Sequence, residues 1–205
     1  KKKKILSSKK NEYIVLDQCD TSYVYVVNKG ILKLSTFFSD GSEFNIKFIT
    51  DGNIATLFRD ETSPTVLTPY SLSTLSKTSE VFLLDRLEFW KDIKEDKILN
   101  EYIRSYYRES LEFQIRRTCA LTRNGKFGAV CYLLFELQQL FGKPCYNGII
   151  INASISNEEM AKFCGINNAS SFNRILRQLK KLKILKTLDN KILITDLEKL
   201  KYLVM

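Results

Sequence analysis

The sequence predicts an α+β chain in three parts: an N-terminal antiparallel β-roll of the jelly-roll kind, one long helix, and a C-terminal winged helix-turn-helix. Three observations predict it. Short apolar runs between Glu12 and Asp85 are separated by turns whose glycines, Gly30, Gly41 and Gly52, lie eleven residues apart. Residues 87–121 hold neither Gly nor Pro and repeat apolar side chains every three or four positions. Ser156 to Lys181 reads as two helices around Gly165, the second with one apolar and one cationic face.

The 205 residues, 44% hydrophobic and 27% charged, suit one large domain or two small ones with ordinary cores. No apolar run approaches the ~20 residues of a membrane-spanning helix, so a soluble protein is expected. The chain opens on Lys1 rather than Met, which leaves the native start open, and the Lys1 to Lys4 run lacks the apolar stretch of a signal peptide. The five Cys, at 19, 119, 131, 145 and 164, form no CxxC pattern and read as free thiols in a reducing cytoplasm. The absence of His removes Ser-His and Cys-His nucleophiles and HExxH zinc sites. There is no GxGxxG or GxxxxGK[ST], and no spacing singles out a carboxylate pair or an activated Lys, so neither catalysis nor a metal site is expected.

The formal charge of +9 is unevenly placed. Residues 1–122 hold 19 basic and 17 acidic groups, whereas residues 123–205 hold 13 and 6. Within that half, Ile166 to Leu188 contains Arg174, Arg177, Lys180, Lys181, Lys183 and Lys186 and no Asp or Glu. A merely solvated helix face usually mixes both signs to gain i,i+4 pairs, so a polyanionic partner explains this stretch better.

In chain order, the alternation of Ile31, Leu34 and Phe37, then of Phe44, Ile46 and Phe48, fits strands of an antiparallel barrel or jelly roll. Thr62 to Pro69 reads as a loop, and Ser71 to Ser76 and Val81 to Leu84 as closing strands. The helix at 87–121 carries the stripe Leu99, Ile103, Tyr106, Ser110, Phe113 and Arg117. Because the stripe is narrow and aromatic, Leu99, Ile103, Tyr106, Ser110 and Phe113 are expected to line a seam with a second copy. The alternative is a helix that covers one end of the roll. Asn124-Gly125 breaks the helix, giving expected parts 1–86, 87–123 and 124–205. Lys126 to Leu140 forms a further helix, ended by Phe141-Gly142-Lys143-Pro144.

Ser156-Asn157-Glu158-Glu159 is a capping box that starts a short helix, and Gly165 supplies the left-handed turn that stops it. Asn167-Asn168 offers a fresh N-cap, after which Phe172, Ile175, Leu176 and Leu179 fall on one helical face. The opposite face carries Ser170, Asn173, Arg174, Arg177 and Lys181. Such a second helix enters the major groove of double-stranded DNA with its N-terminal residues at the base edges. Ile184 to Leu188, the turn Asp189-Asn190 and Lys191 to Thr195 form the wing. Candidate DNA-binding residues are Asn168, Ser170, Ser171, Asn173, Arg174, Arg177, Lys180 and Lys181. Arg suits guanine or phosphate, the short polar groups suit base edges and backbone, and Lys suits phosphate.

This order of parts resembles the Crp/Fnr family of bacterial transcription regulators across nearly the whole chain. Tyr23-Val24-Tyr25-Val26-Val27-Asn28-Lys29-Gly30, with Asp40-Gly41 and Asp51-Gly52-Asn53, looks like that family's cyclic-nucleotide-binding-like β-roll signature. Ser156 to Gly165 followed by Phe172-Asn173-Arg174-Ile175-Leu176 looks like its helix-turn-helix signature. Asn124 to Cys131 and Ser170 to Ile175 are most similar to the PrfA-like branch. The resemblance implies a homodimer on a palindromic operator, a transcription regulator or activator that recruits or blocks RNA polymerase, and no membrane partner.

For the effector, the resemblance implies glutathione in a tunnel, carried here onto Phe48, Ser110, Phe113, Cys131 and Leu134. Cyclic AMP is expected least, because Gly52-Asn53-Ile54-Ala55-Thr56 lacks the family's Gly-Glu pair and no Arg occurs between Arg59 and Arg86 to meet a phosphate. Haem lacks its His and an iron–sulfur centre its Cys cluster. With Phe113 where that branch places Tyr, a small cytosolic ligand or none is expected ahead of glutathione, and Cys131 reads as a small buried hydrophobe. The rival from another class is a β-roll sensing module whose basic C-terminal domain binds a protein or RNA. An enzyme of the wider jelly-roll class is a second rival, short of metal ligands.

Overall fold

The computed structural model describes residues 4–19, 22–55, 57–58, 60 and 67–204, and its chain divides into two compact units, Lys1–Ser110 and Leu111–Met205. In the first unit, β1 (Lys4–Lys9), β2 (Tyr13–Val15), β3 (Tyr23–Lys29), β4 (Leu32–Phe37), β5 (Glu43–Ile49), β6 (Ser71–Thr74) and β7 (Thr78–Asp85) form two antiparallel sheets, ordered β1-β7-β3 and β2-β6-β4-β5. The β-branched and aromatic runs of these strands place Val27, Leu32, Leu72 and Val81, all fully buried, in one core with Tyr25, Leu34 and Ile49. The glycine turns form where the sequence marks them, with Gly30, Gly41 and Gly52 all at positive φ. Of the Thr62 to Pro69 loop, residues 62–66 lie outside the described residues.

One strand departs from its pattern. The register of β4 against β5 shifts between Leu34 and Ser35, so Leu34 faces Lys47 and Ser35 faces Asn45. The irregularity inverts the alternation: Asn45 and Phe48 are buried, while Phe44 and Ile46 are only half-buried.

The single helix expected over 87–121 is two. Asp85 starts α1 (Arg86–Glu95), its carboxylate accepting from the amides of Leu87 and Glu88 at 3.0 Å. Asp96 then leaves the helical region, at φ −111° and ψ 115°, and caps α2 (Lys97–Phe141) by accepting from Ile98 at 2.8 Å and Leu99 at 3.2 Å. A short carboxylate that captures backbone amides can end one helix and begin another without Gly or Pro. Asn124 and Gly125 then interrupt α2, as their sequence suggests, Gly125 at φ +54°.

In the second unit the two arms of α2, 111–123 and 126–141, pack side by side. Gly128 permits this, since a Cβ there would lie 2.4 Å from the carbonyl oxygen of Ala120. Val130, Cys131, Leu134 and Leu137 are fully buried on the second arm. There follow β8 (Gly142–Cys145), β9 (Gly148–Ile151), α3 (Asn157–Phe163), α4 (Ala169–Lys181), β10 (Leu185–Leu188), β11 (Lys191–Ile194) and α5 (Leu197–Val204), with the strands in one antiparallel sheet ordered β10-β11-β9-β8. No helix among the described residues is long and apolar enough to cross a membrane.

Candidate nucleic-acid interface

Helix α3 begins where Ser156 Oγ accepts from the Glu159 amide at 3.1 Å, and the Glu159 carboxylate meets Lys162 at 2.9 Å. It ends in a Schellman turn, with Ile166 donating to the Ala161 carbonyl at 3.0 Å and Gly165 to the Lys162 carbonyl at 3.4 Å. Gly165 sits at φ +61°, a conformation that costs a side chain about 1 kcal/mol or more. Asn168 then caps α4, its Oδ1 accepting from the Ser171 amide at 2.8 Å. Phe172, Ile175, Leu176 and Leu179 are all buried, each worth roughly 1.5–3 kcal/mol, and they anchor α4 with its opposite face outward.

That outward face carries Ser170, Arg174, Arg177 and Lys181, all exposed and spaced at i, i+4, i+7 and i+11. Asn168 is exposed but its side chain serves the cap. Ser171 is half-buried. Asn173, also half-buried, accepts on Oδ1 from Asn157 Nδ2 at 2.6 Å, which ties α4 to the start of α3. Lys180 reaches the wing, donating to Thr187 Oγ1 at 2.6 Å.

The wing is the hairpin β10–β11. Asp189 and Asn190 both hold positive φ, at 49° and 61°, as a two-residue type I′ turn requires. Between wing and α4 lies a groove of 350 Å³ whose lining includes Arg177, Lys180, Lys186, Lys191, Asn157 and Asn173. Lys186, Lys191 and Asn157 are members of this surface that sequence spacing did not select. The strand pairing Lys186↔Leu193 and Leu188↔Lys191 is what brings the wing cations beside α4. Four cations converge on one concave surface, which suits a phosphate chain.

The expected seam residues divide between buried and exposed positions of the chain. Ile103 is only 4% exposed and lies within its own unit, in a cluster with Val24, Ile54, Leu57, Trp90 and Ile93, against which Tyr106 also packs. Ser110 is half-buried, Phe113 stacks near Tyr132 at 6.0 Å, and Leu99 is exposed. The stripe is therefore mostly the inward face of α2. Within the second unit an exposed apolar ridge runs from Leu111 through Ile115 to Cys119 at i,i+4 spacing, Leu111 being 63% and Ile115 55% exposed. Of the expected effector residues, Phe48 is buried in the first unit, which also holds Ser110, and Cys131 and Leu134 are fully buried in the second, as part of which Phe113 is half-buried. Burial pushes the Cys131 thiol up to about 12, which keeps it protonated and unreactive.

Residues 128–203 match the model of the Crp-like helix-turn-helix domain. The chain is 32% identical over 191 residues to the lactate racemization regulatory protein of Lactiplantibacillus plantarum, covering 93% of this chain and 86% of that protein. It is 21% identical over 174 residues to the listeriolysin regulatory protein of Listeria monocytogenes, covering 84% and 73%. Its fold is shared with FixK2 from Bradyrhizobium japonicum, at a TM-score of 0.81 and 18% identity over 98% of this chain and 96% of that one. An α+β chain with a β-roll, a long helix and a winged helix-turn-helix presenting a cationic face is a DNA-binding transcription regulator. It belongs to the Crp/Fnr family.

Proposed function

We propose that the protein acts in the cytoplasm as a homodimer on a palindromic DNA operator, with α4 of each copy in the major groove and RNA polymerase as the downstream partner. Arg174 and Arg177 read or clamp bases, Ser170 meets a base edge or phosphate, and Lys181 with the groove cations Lys180, Lys186 and Lys191 holds the backbone. Support comes chiefly from one feature of α4: a fully cationic and polar row of four exposed side chains stands directly over a buried apolar row, with no carboxylate between them. Regulation, not catalysis, is the output.

The two copies meet along Leu111, Ile115 and Cys119, the exposed ridge of α2 in the second unit. Glu101, Arg104, Arg108, Glu109, Glu112 and Arg116 add exposed charges of both signs along the same arm, so a second copy can pair them.

The effector is a small polar molecule bound at the β-roll. On β4, Lys33 stands opposite Phe48 of β5 and Ser73 of β6, so the three form one row, and Ser35 with Asn45 and Ser71 forms the next. All six are buried, and the hydroxyls of Ser35 and Ser73 have no partner among the described residues. Buried hydroxyls of this kind call for a water or a ligand. Glutathione ranks second and cyclic AMP last. Calorimetry with glutathione and with cyclic AMP tests the order: cyclic AMP binding more tightly than glutathione overturns it. Anisotropy titrations of labelled duplexes test the DNA reading, which predicts tighter binding to a selected palindrome than to single strands. Equal affinity for both favours the RNA or protein alternative.

A further inference from the structure

The Schellman turn that closes α3 uses the carbonyls of Ala161 and Lys162, and the next carbonyl in line is that of Phe163. It accepts from Arg117 Nη2 at 2.7 Å. Arg117 lies on the first arm of α2 and is 7% exposed. It borders a small hollow with Leu121, Tyr132, Leu133 and Glu136. Burial pushes the Arg117 guanidinium below its ordinary pKa, and the Glu136 carboxylate on the second arm opposes that shift. A buried cation is costly to keep without partners of this quality, and one that caps a helix C-terminus also meets the negative end of its dipole. The guanidinium thus ties the first arm of α2 to the end of α3 and lies beside Glu136 of the second arm, all within one unit.

Arg117 falls two residues beyond Ile115 and two before Cys119, on the opposite side of the same helical arm from the exposed ridge. We propose that Arg117 is a positioning residue for DNA recognition: it fixes the direction of the helix-turn-helix relative to the helix that carries the dimer ridge, and so sets the separation of the two recognition helices. This rests on the dimeric reading above. A planar five-donor group can hold the carbonyl and a neighbouring carboxylate together, whereas Lys can hold only one of them in a fixed direction.

The test uses the full chain and an operator selected by the wild-type protein from random duplexes. Affinity is measured for that operator, for versions with one or two base pairs inserted between half-sites, and for a single half-site. Wild type should lose about tenfold or more on altered spacing, because both helices can no longer engage together. Arg117→Met and Arg117→Lys should keep half-site affinity within about twofold, and Met should reduce the spacing penalty to about threefold or less with Lys between. A variant that only lowered stability would leave that ratio unchanged. Either variant showing the full wild-type penalty overturns the proposal, including an Arg117→Lys that does so when Arg117→Met fails to fold. A wild-type protein indifferent to spacing overturns the dimeric reading instead.

Discussion

Asn157 and Asn173 are joined across the helix-turn-helix, the Nδ2 of Asn157 donating to the Oδ1 of Asn173 at 2.6 Å. A bidentate Asn–adenine contact needs both the oxygen and the nitrogen of one amide in the plane of the base, and here one of the oxygen's two lone pairs is taken and the amide's direction is set by α3. Asn173 therefore offers chiefly its Nδ2 hydrogens, to a phosphate or a single base acceptor. Asn157→Ala should weaken operator binding by about 1 kcal/mol by freeing that amide, and Asn173→Asp should weaken binding to every sequence alike. Competition titrations with single-base operator variants check both. Loss of adenine preference at one position in Asn173→Ala would contradict the assignment.

Arg174 and the wing lysines should separate cleanly in salt titrations. Arg174→Ala is expected to cost about 1–3 kcal/mol on the operator and little on random duplex. Lys186→Ala and Lys191→Ala should weaken both duplexes and reduce the slope of log K against log salt by roughly one each. Wild-type slopes in the double lysine variant would place the wing off the DNA.

Ile103 and Leu111 should fail in different ways. Leu111→Asp with Ile115→Asp should give monomers with unchanged circular dichroism, seen by sedimentation velocity. Ile103→Ala should leave the dimer intact and cost about 2–5 kcal/mol of stability, since it empties a buried site beside Trp90 and Ile93. A Leu111→Asp, Ile115→Asp protein that stays dimeric would move the seam elsewhere.

Alkaline pH should loosen the second unit. In the unfolded chain the Cys131 thiol ionises above its ordinary 9.0, but in the folded unit it stays protonated to about 12. Burial of Cys164 acts in the same direction. The folded state therefore holds more protons across that window, and stability falls as pH rises through it. Melting temperatures followed from about pH 8 to about pH 11 should decline, and Cys131→Ala should flatten the decline. An unchanged slope in that variant would assign the effect to other groups.

Much of this was legible in the residues. Ser156, Gly165 and Asn168 state their local geometry through capping and a positive φ, and the acid-free run from Ile166 names the face that follows. Other features depend on contacts between distant positions. The periodicity through Ile103 and Tyr106 marks an apolar face of α2, but not that Val24, Ile54 and Trp90 fill it from within the same unit. Asp96 divides two helices with a side-chain cap that resembles any other acidic residue of a helix surface. Asn45 is buried by a register irregularity between β4 and β5. Lys186 and Lys191 join the α4 surface only through the hairpin that folds them back beside it.

The central claim is that two copies of α4 read a palindrome. Selection of bound duplexes from a random pool by the purified protein, beside Arg174→Ala with Arg177→Ala, tests it most directly. The wild type should enrich an inverted repeat with half-site centres about 10–10.5 base pairs apart, one helical turn or about 34 Å, and the double variant should enrich none. A single unrepeated motif, or the same repeat from the double variant, would contradict it.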